Sequence, residues 1–223
     1  MPSLPLPLAL TARLSPVAVL ATAGWALTSG PFAPAPAAGH QPSVAETATG
    51  SPSAPSATAA SRTYTAAPAP CGSITRKTVT ALVPGAKTTG KEIPSTDTKL
   101  RRTCSWNALK GFDYRWLDVS FELMESNQAA EKEYQQRVTE KSGGGDVPGV
   151  GDSGYSVVNL TTEDKQQTRE GVVLVRVSNA LVVVTYNGSD FETKKAPSTD
   201  VINKGAIKAA KDAVTALEGS RSG

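Results

Sequence analysis

Histidine and cysteine are scarce in this sequence of 223 residues, which has one histidine and two cysteines. Triads and dyads that use a histidine base need that base beside the nucleophile, and His40 lies in a stretch dominated by Ala, Pro, Ser and Thr, outside the predicted core. Two cysteines without a histidine nearby provide too few ligands for a zinc site. We therefore expect no catalytic residue, no metal site and no cofactor.

Charge is nearly absent from residues 31–70, where Ala, Pro, Ser, Thr and Gly predominate and only Glu46 and Arg62 are charged. Such a stretch cannot bury enough apolar surface to offset the entropy lost on ordering. It predicts a disordered linker over residues 31–70. Residues 71–223 then form a single domain, long enough to bury a hydrophobic core.

Residues 1–30 have the layout of an export signal. Arg13 precedes an apolar run that ends in small residues, and Ala-x-Ala sites would allow cleavage after Ala23 or Ala37. The alternative is a retained signal anchor with the rest of the chain outside the cell. The chain is therefore predicted to be extracytoplasmic, either secreted or held at the cell membrane by that N-terminal anchor.

Cys71 and Cys104 meet an oxidising compartment if the chain is exported, and an even cysteine count then favours pairing. A catalytic thiol is the alternative, but it needs a base. We expect a structural disulfide, which would close a loop of about 33 residues and stabilise the domain by ~4 kcal/mol.

Hydrophobic periodicity predicts the elements of the domain. Leu117, Val119 and Phe121 alternate with polar residues, as in a half-buried strand, and residues 172–177 and 181–186 form a β-hairpin pattern around Ser178-Asn179-Ala180. Helices are expected after the N-caps, which are Ser73 or Thr75, Ser126, and Ser198. The predicted fold is α+β: a mostly antiparallel sheet of about five strands, with helices packed on it and one disulfide.

The stretch GVGDSG, Gly149–Gly154, fits two catalytic patterns. A dinucleotide-binding G-x-G-x-x-G needs a strand before it and a helix after it, and here the predicted order is reversed. Gly-Asp-Ser-Gly resembles the nucleophile segment of serine proteases, so a serine hydrolase using Ser153 is the alternative function. The favoured interpretation is a connection in which Gly149 and Gly151 adopt positive φ and Asp152 hydrogen-bonds to backbone.

A family resemblance rests on short motifs within residues 70–218. They are Pro70-Cys71 before a helix, Cys104-Ser105-Trp106 on a strand, and Val147-Pro148-Gly149-Val150-Gly151-Asp152 before a strand and hairpin. Together with the export signal and linker, they resemble an actinobacterial family of extracytoplasmic Cys-pair lipoproteins whose domain has no known function. The resemblance implies a secreted or cell-surface domain that is not an enzyme. The chain lacks a lipidated cysteine, since its first cysteine is Cys71.

Positive charge is concentrated between residues 71 and 110, where Lys and Arg outnumber Asp and Glu by eight to two. A binding surface for an anionic envelope component is one interpretation, and a solvated face attracted to the acidic segment that follows is the other. Nucleic acid is not expected, because the domain is exported and few aromatic residues lie near these charges. The candidate binding residues are Arg76, Lys77, Lys99, Arg101 and Arg102.

Trp106, Trp116 and Tyr114 are the aromatic residues that could line a ligand cleft. We expect them to be core residues instead, because aromatic side chains on strands near a disulfide are usually buried. The predicted function is a non-catalytic extracytoplasmic domain that binds a cell-envelope ligand or a partner protein. The sheet face and the basic segment are the candidate surfaces, and an accessory protein without a ligand is a further alternative.

Overall fold

Seven antiparallel strands form one sheet in residues 62–222, the part of the chain that this computed structural model describes. The order across the sheet is β1-β2-β3-β7-β6-β5-β4. The strands are β1 (Lys91–Ile93), β2 (Arg101–Lys110), β3 (Asp113–Leu123), β4 (Gly145–Asp146), β5 (Ser153–Glu163), β6 (Gln166–Val177) and β7 (Ala180–Asp190).

The α+β class and the antiparallel sheet are confirmed, but the prediction of about five strands is too low. The two extra strands, β1 and β4, have three and two residues and lie at opposite edges of the sheet. Strands this short show no alternation of apolar and polar residues, so periodicity does not detect them.

Three helices accompany the sheet: α1 (Arg76–Leu82), α2 (Asn127–Thr139) and α3 (Thr199–Gly219). Each begins after a residue whose side-chain oxygen accepts a hydrogen bond from a backbone N–H of the first turn. The caps are Thr75, Ser126 and Ser198. The predicted N-caps are thereby confirmed, with Thr75 rather than Ser73 at the first helix.

The central hairpin, β6 and β7, is buried on both sides. Val173 and Val175 belong to the larger core, beneath α1 and α3, whereas Val172 and Leu174 belong to the smaller core beneath α2. This explains the continuous apolar runs, because strands covered on both faces do not alternate. The turn between them is Ser178-Asn179, and Ala180 is already the first residue of β7.

A disulfide joins Cys71 to Cys104, as predicted. It links the 3₁₀ turn Pro70–Gly72 to β2, and the side chain of Cys104 is fully buried in the larger core. The two residues are 33 positions apart. The cross-link therefore fastens the N-terminal part of the domain to the sheet.

The folded part already includes residues 62–70, which composition assigns to the linker. Tyr64 is buried in the larger core, and its backbone N–H donates to Oδ1 of Asn179 at 2.7 Å while its carbonyl accepts from Nδ2 at 2.9 Å. The Arg221 guanidinium lies 4.8 Å from the centre of the Tyr64 ring. The rest of the predicted linker, and the predicted signal in residues 1–30, lie outside the described residues.

Candidate functional site

The GVGDSG loop is a tight connection from β4 into β5. Gly149 and Gly151 have φ of 74° and 62°, which glycine adopts without steric cost. A Cβ at Gly151 would lie 2.5 Å from Val175 Cγ1, so this position has no room for a side chain. The favoured interpretation of a glycine-rich turn therefore agrees with the backbone.

Asp152 holds this loop against the central hairpin. Its Oδ2 accepts a hydrogen bond from the Ser178 backbone N–H at 2.7 Å and lies 3.1 Å from Nη1 of Arg176. The same guanidinium contacts Glu131 on α2 through Nε, at 2.6 Å. Asp152 thus bonds to the backbone of the hairpin turn rather than to its own loop, and Arg176 connects loop, strand and helix.

Ser153 lies at the start of β5, beside a cavity of about 380 Å³ that α2 and the GVGDSG loop enclose. Within residues 62–222, no base is hydrogen-bonded to its hydroxyl and no histidine is present. Lys211 lines a different cavity, between the loop and α3, that Ser153 does not line. The absence of a catalytic residue stays a prediction, since His40 lies outside the described residues.

The predicted basic residues do not form one face. Arg76 and Lys77 are exposed on α1, and Lys99 is exposed just before β2. Arg101 and Arg102 are neighbours on β2 and therefore point to opposite faces of the sheet.

Carboxylates pair with both of these arginines. Arg102 Nε and Nη2 donate to the two oxygens of Glu92, at 2.7 and 2.9 Å, and this hydrogen bonding lowers the pKa of the Glu92 carboxyl. Arg101 Nε lies 3.6 Å from the Glu122 carboxylate. Anion binding by these residues stays a prediction.

The two faces of the sheet are covered to different extents. α3 and α1 lie on one face, over a core that includes Trp106, Leu117 and Tyr186. On the other face the apolar side chains of α2 pack on residues of β5, β6 and β7, and α2 contacts β3 through the ion pair between Arg137 and Glu122. The neighbouring part of that face carries exposed and half-exposed side chains on β2 and on β3 from Tyr114 to Asp118, whereas Ser120 and Glu122 of β3 are buried.

We call this uncovered region the open face. Strand register places Asn107, Trp116, Asn187 and Glu170 directly beside one another on four successive strands. The next positions along β3 on the same face are Tyr114 and Asp118. The open face is defined by these six residues: Asn107, Tyr114, Trp116, Asp118, Asn187 and Glu170.

Trp116 is the most exposed aromatic residue on the sheet strands, with 38% of its surface accessible. Its indole Nε1 lies 2.8 Å from Ser105 Oγ and 2.7 Å from Asp118 Oδ1, so the N–H is held by acceptors of the sheet. Trp106 is 1% exposed, and its Nε1 donates to the Thr88 carbonyl. The expectation of a core position is therefore confirmed for Trp106 and wrong for Trp116.

The sequence contains a signal for this difference. Trp116 shares the period-two register of Asp118, Ser120 and Glu122, the polar positions of β3. Alternate residues of a strand point to the same face, so an aromatic residue in register with polar ones is placed away from the core.

A groove adjoins the open face at the sheet edge. It has a volume of about 440 Å³ and lies between the chain that follows β1 and the surface of β2 and β3. Its lining includes Ile93, Arg101, Thr103 and Asp118. The carboxylate that holds the Trp116 indole therefore also faces this groove.

The carboxylates on this side of the sheet differ in whether they form ion pairs. Glu122 accepts a 2.7 Å hydrogen bond from Nη2 of Arg137 on α2. Burial of the Arg137 guanidinium acts to lower its pKa, but its hydrogen bonds to Glu122 and Glu133 outweigh burial and raise the pKa. The carboxylates of Asp118 and Glu170 make no ion pair within the described residues. The open face is thus polar and acidic.

Tyr114 contributes a second aromatic ring to the open face. Its ring centre lies 6.0 Å from that of Phe191. Partial burial and the nearby Asp118 carboxylate raise the pKa of its hydroxyl. The hydroxyl therefore stays protonated near neutral pH and is able to donate a hydrogen bond.

Within residues 62–222, no group of three or more His, Cys, Asp and Glu side chains could hold a metal ion. No helix of the same range is long and apolar enough to cross a membrane.

Comparisons with known proteins give only distant similarities. No protein-family model and no curated protein matches the chain. A crystal structure from Bacteroides thetaiotaomicron VPI-5482 is similar at 10% identity and a TM-score of 0.30, over 50% of each chain. The extracellular domain of PknH from Mycobacterium tuberculosis is similar at 10% identity and a TM-score of 0.31, over 53% of this chain and 64% of that one. Ara h 8.0201 is similar at 11% identity and a TM-score of 0.19, over 70% and 93% of the two chains.

Proposed function

We propose that this protein is a non-catalytic extracytoplasmic domain that binds a cell-envelope component or a partner protein through its open face. The observation that carries this proposal is Trp116, a large aromatic side chain left 38% exposed on a part of the sheet that no helix covers. The indole N–H is held by Asp118 and Ser105. The ring is therefore presented to solvent in a fixed orientation.

An extracytoplasmic location is supported by the disulfide between Cys71 and Cys104. Disulfides persist in oxidising compartments and are rare in the cytosol. The export signal that the sequence predicts in residues 1–30 supports the same location.

A fixed aromatic side chain favours binding because little conformational entropy remains to be lost. Immobilising a free side chain at an interface costs about 0.5–1.5 kcal/mol. The two hydrogen bonds of Trp116 already restrict its indole in the free protein, so less of this cost remains when a ligand binds. Tryptophan is also among the residues that contribute most to binding when a ligand covers them.

Sedimentation with washed actinobacterial cell-wall material tests the surface. The full chain is expected to appear in the pellet, and Trp116→Ala is expected to reduce the bound fraction about tenfold. Leu160→Ala is the matched control, because Leu160 is also exposed but lies on the opposite face of the sheet. Equal binding of both variants would contradict the proposal, and no binding of the full chain would favour an accessory protein without a ligand.

Labelling with a fluorophosphonate probe for active serines tests the non-catalytic part of the proposal. We expect no labelling of the full chain, because Ser153 has no hydrogen-bonded base within residues 62–222. Labelling that Ser153→Ala abolishes would establish the serine hydrolase instead.

A further inference from the structure

Trp116 and its neighbours have the surface chemistry that recognises sugars. The faces of a pyranose ring carry C–H groups that pack on an aromatic ring, while the ring edge carries hydroxyls that need hydrogen-bonding partners. The exposed indole of Trp116 offers the first kind of contact. Tyr114 lies two residues away on the same face of β3, about 7 Å along the strand, and offers a second ring.

The polar partners lie in the same line across the sheet. Asn107 and Asn187 are the direct neighbours of Trp116 on either side, and Glu170 follows Asn187. An asparagine amide both donates and accepts, and a carboxylate accepts. Successive strands are about 4.8 Å apart, so the two asparagines flank the indole directly and Glu170 lies about 10 Å from Trp116, within reach of a second sugar unit.

The charges of the open face favour an uncharged ligand. Asp118 and Glu170 make no ion pair among the described residues, and Arg101 in the adjoining groove lies 3.6 Å from the Glu122 carboxylate. The carboxylates of Asp118 and Glu170 would therefore repel phosphate or carboxylate groups of an anionic polymer. The centre of a protein interface is usually depleted of charged residues, whereas Trp116 here is bordered by two asparagines and the Asp118 carboxylate, with Glu170 one strand further on. The hydroxyls of a neutral sugar can donate hydrogen bonds to both carboxylates, and no negative charge on the ligand opposes this contact.

The groove at the sheet edge extends the surface beyond a single ring. Asp118 lines the groove and also holds Trp116 Nε1, so groove and indole are adjacent. Arg101 and Thr103 supply further hydrogen-bonding groups along the wall. The combined surface can therefore contact more than one sugar unit of a chain.

We propose that the open face binds a neutral polysaccharide, with a sugar ring stacked on Trp116 and hydroxyls bonded to Asn107, Asn187 and the two carboxylates. This inference rests on the proposed function and names its ligand class.

Isothermal titration of the full chain with the soluble tetramers of β-1,4-linked N-acetylglucosamine and of β-1,4-linked glucose tests the inference. Binding of at least one tetramer is expected, weakened about tenfold by Trp116→Ala and severalfold by Asn107→Ala. Leu160→Ala is expected to bind as the unchanged protein does. Thermal unfolding of each variant shows whether the fold is retained, and Asn107→Ala provides a second test if Trp116→Ala does not fold.

Two results would overturn the saccharide assignment. One is the absence of binding by either tetramer up to about 10 mM; the other is binding that neither Trp116→Ala nor Asn107→Ala weakens. If cell-wall material still binds through Trp116 and protease treatment of that material removes the binding, the ligand is a protein and the proposed function stands. If Trp116→Ala changes binding to neither probe, the proposed function fails as well.

Discussion

Trp106 and Trp116 lie on neighbouring strands and on opposite faces of the same sheet, and their surroundings differ completely. Trp106 is enclosed with Cys104 in the larger core beneath α1 and α3, whereas Trp116 is exposed beside Asn107 and Asp118. Burial of Trp106 stabilises the fold, whereas Trp116 is exposed to solvent. One face of the sheet therefore maintains the structure, and the open part of the other face is available for binding.

Replacing each tryptophan by alanine should give the largest contrast between the faces. Trp106→Ala is expected to lower the free energy of unfolding by about 3–5 kcal/mol, because a large buried side chain is lost. Trp116→Ala is expected to lower it by less than about 1 kcal/mol. Urea unfolding followed by circular dichroism measures both, and equal losses would contradict the proposed difference between the faces.

After Trp106, the disulfide is expected to contribute most to the free energy of unfolding on the covered face. Cys71→Ala combined with Cys104→Ala is expected to lower the free energy of unfolding by about 2–4 kcal/mol, mainly by releasing a constraint on the unfolded chain. The same urea experiment measures this loss. Unfolding of the unchanged protein under reducing conditions is the control and should show a similar loss; a stable reduced protein would show that packing alone holds residues 62–72.

Raising the pH should lower the free energy of unfolding through Tyr186 on the covered face more than through Tyr114 on the open face. This difference should be smaller than the effects of the tryptophan and cysteine substitutions. Burial raises the pKa of Tyr186 on the covered face, where its hydroxyl donates to the Leu82 carbonyl at 2.7 Å. The folded protein then holds this proton to higher pH than the unfolded chain does. The resulting stability is present below about pH 10 and is lost as the pH rises above that value.

Tyr186→Phe is expected to reduce this loss of stability between about pH 10 and 11, at the cost of about 1 kcal/mol from the missing hydrogen bond. Tyr114→Phe, on the open face, should change the pH dependence less, because Tyr114 is only partly buried. Unfolding free energies measured across this pH range provide the comparison. A larger effect at Tyr114 than at Tyr186 would be inconsistent with the structure.

Sequence patterns predicted the parts of the fold that depend on local physics. Ser126 and Ser198 were identifiable as helix caps, and Leu117 to Leu123 as a half-buried strand, because these features require only neighbouring residues. The disulfide followed from two cysteines in an exported chain. The two short edge strands were missed because each pairs through a few backbone groups and carries no side-chain pattern.

The site depended on information that local patterns do not carry. The alternation in β3 assigns Trp116 to the polar face, but it does not show that the apolar packing of α2 is confined to β5, β6 and β7. That boundary results from which strands become neighbours: Asn107, Asn187 and Glu170 come from three different strands and align with Trp116 across the sheet only through the strand order. Arg101 and Arg102 do not share a surface for a different, local reason, because adjacent residues of a strand point to opposite faces.

Acrylamide quenching of tryptophan fluorescence tests the central claim most directly. The fluorescence of Trp116 is obtained by subtracting the intensity of Trp116→Phe from that of the unchanged full chain. This subtraction removes the contributions of the other tryptophans. We predict that this signal is readily quenched in the free protein and is protected when soluble cell-wall fragments are added, while Leu160→Ala behaves as the unchanged protein does. Fragments that bind yet leave Trp116 as open to quenching as before would show that the open face is not the binding surface.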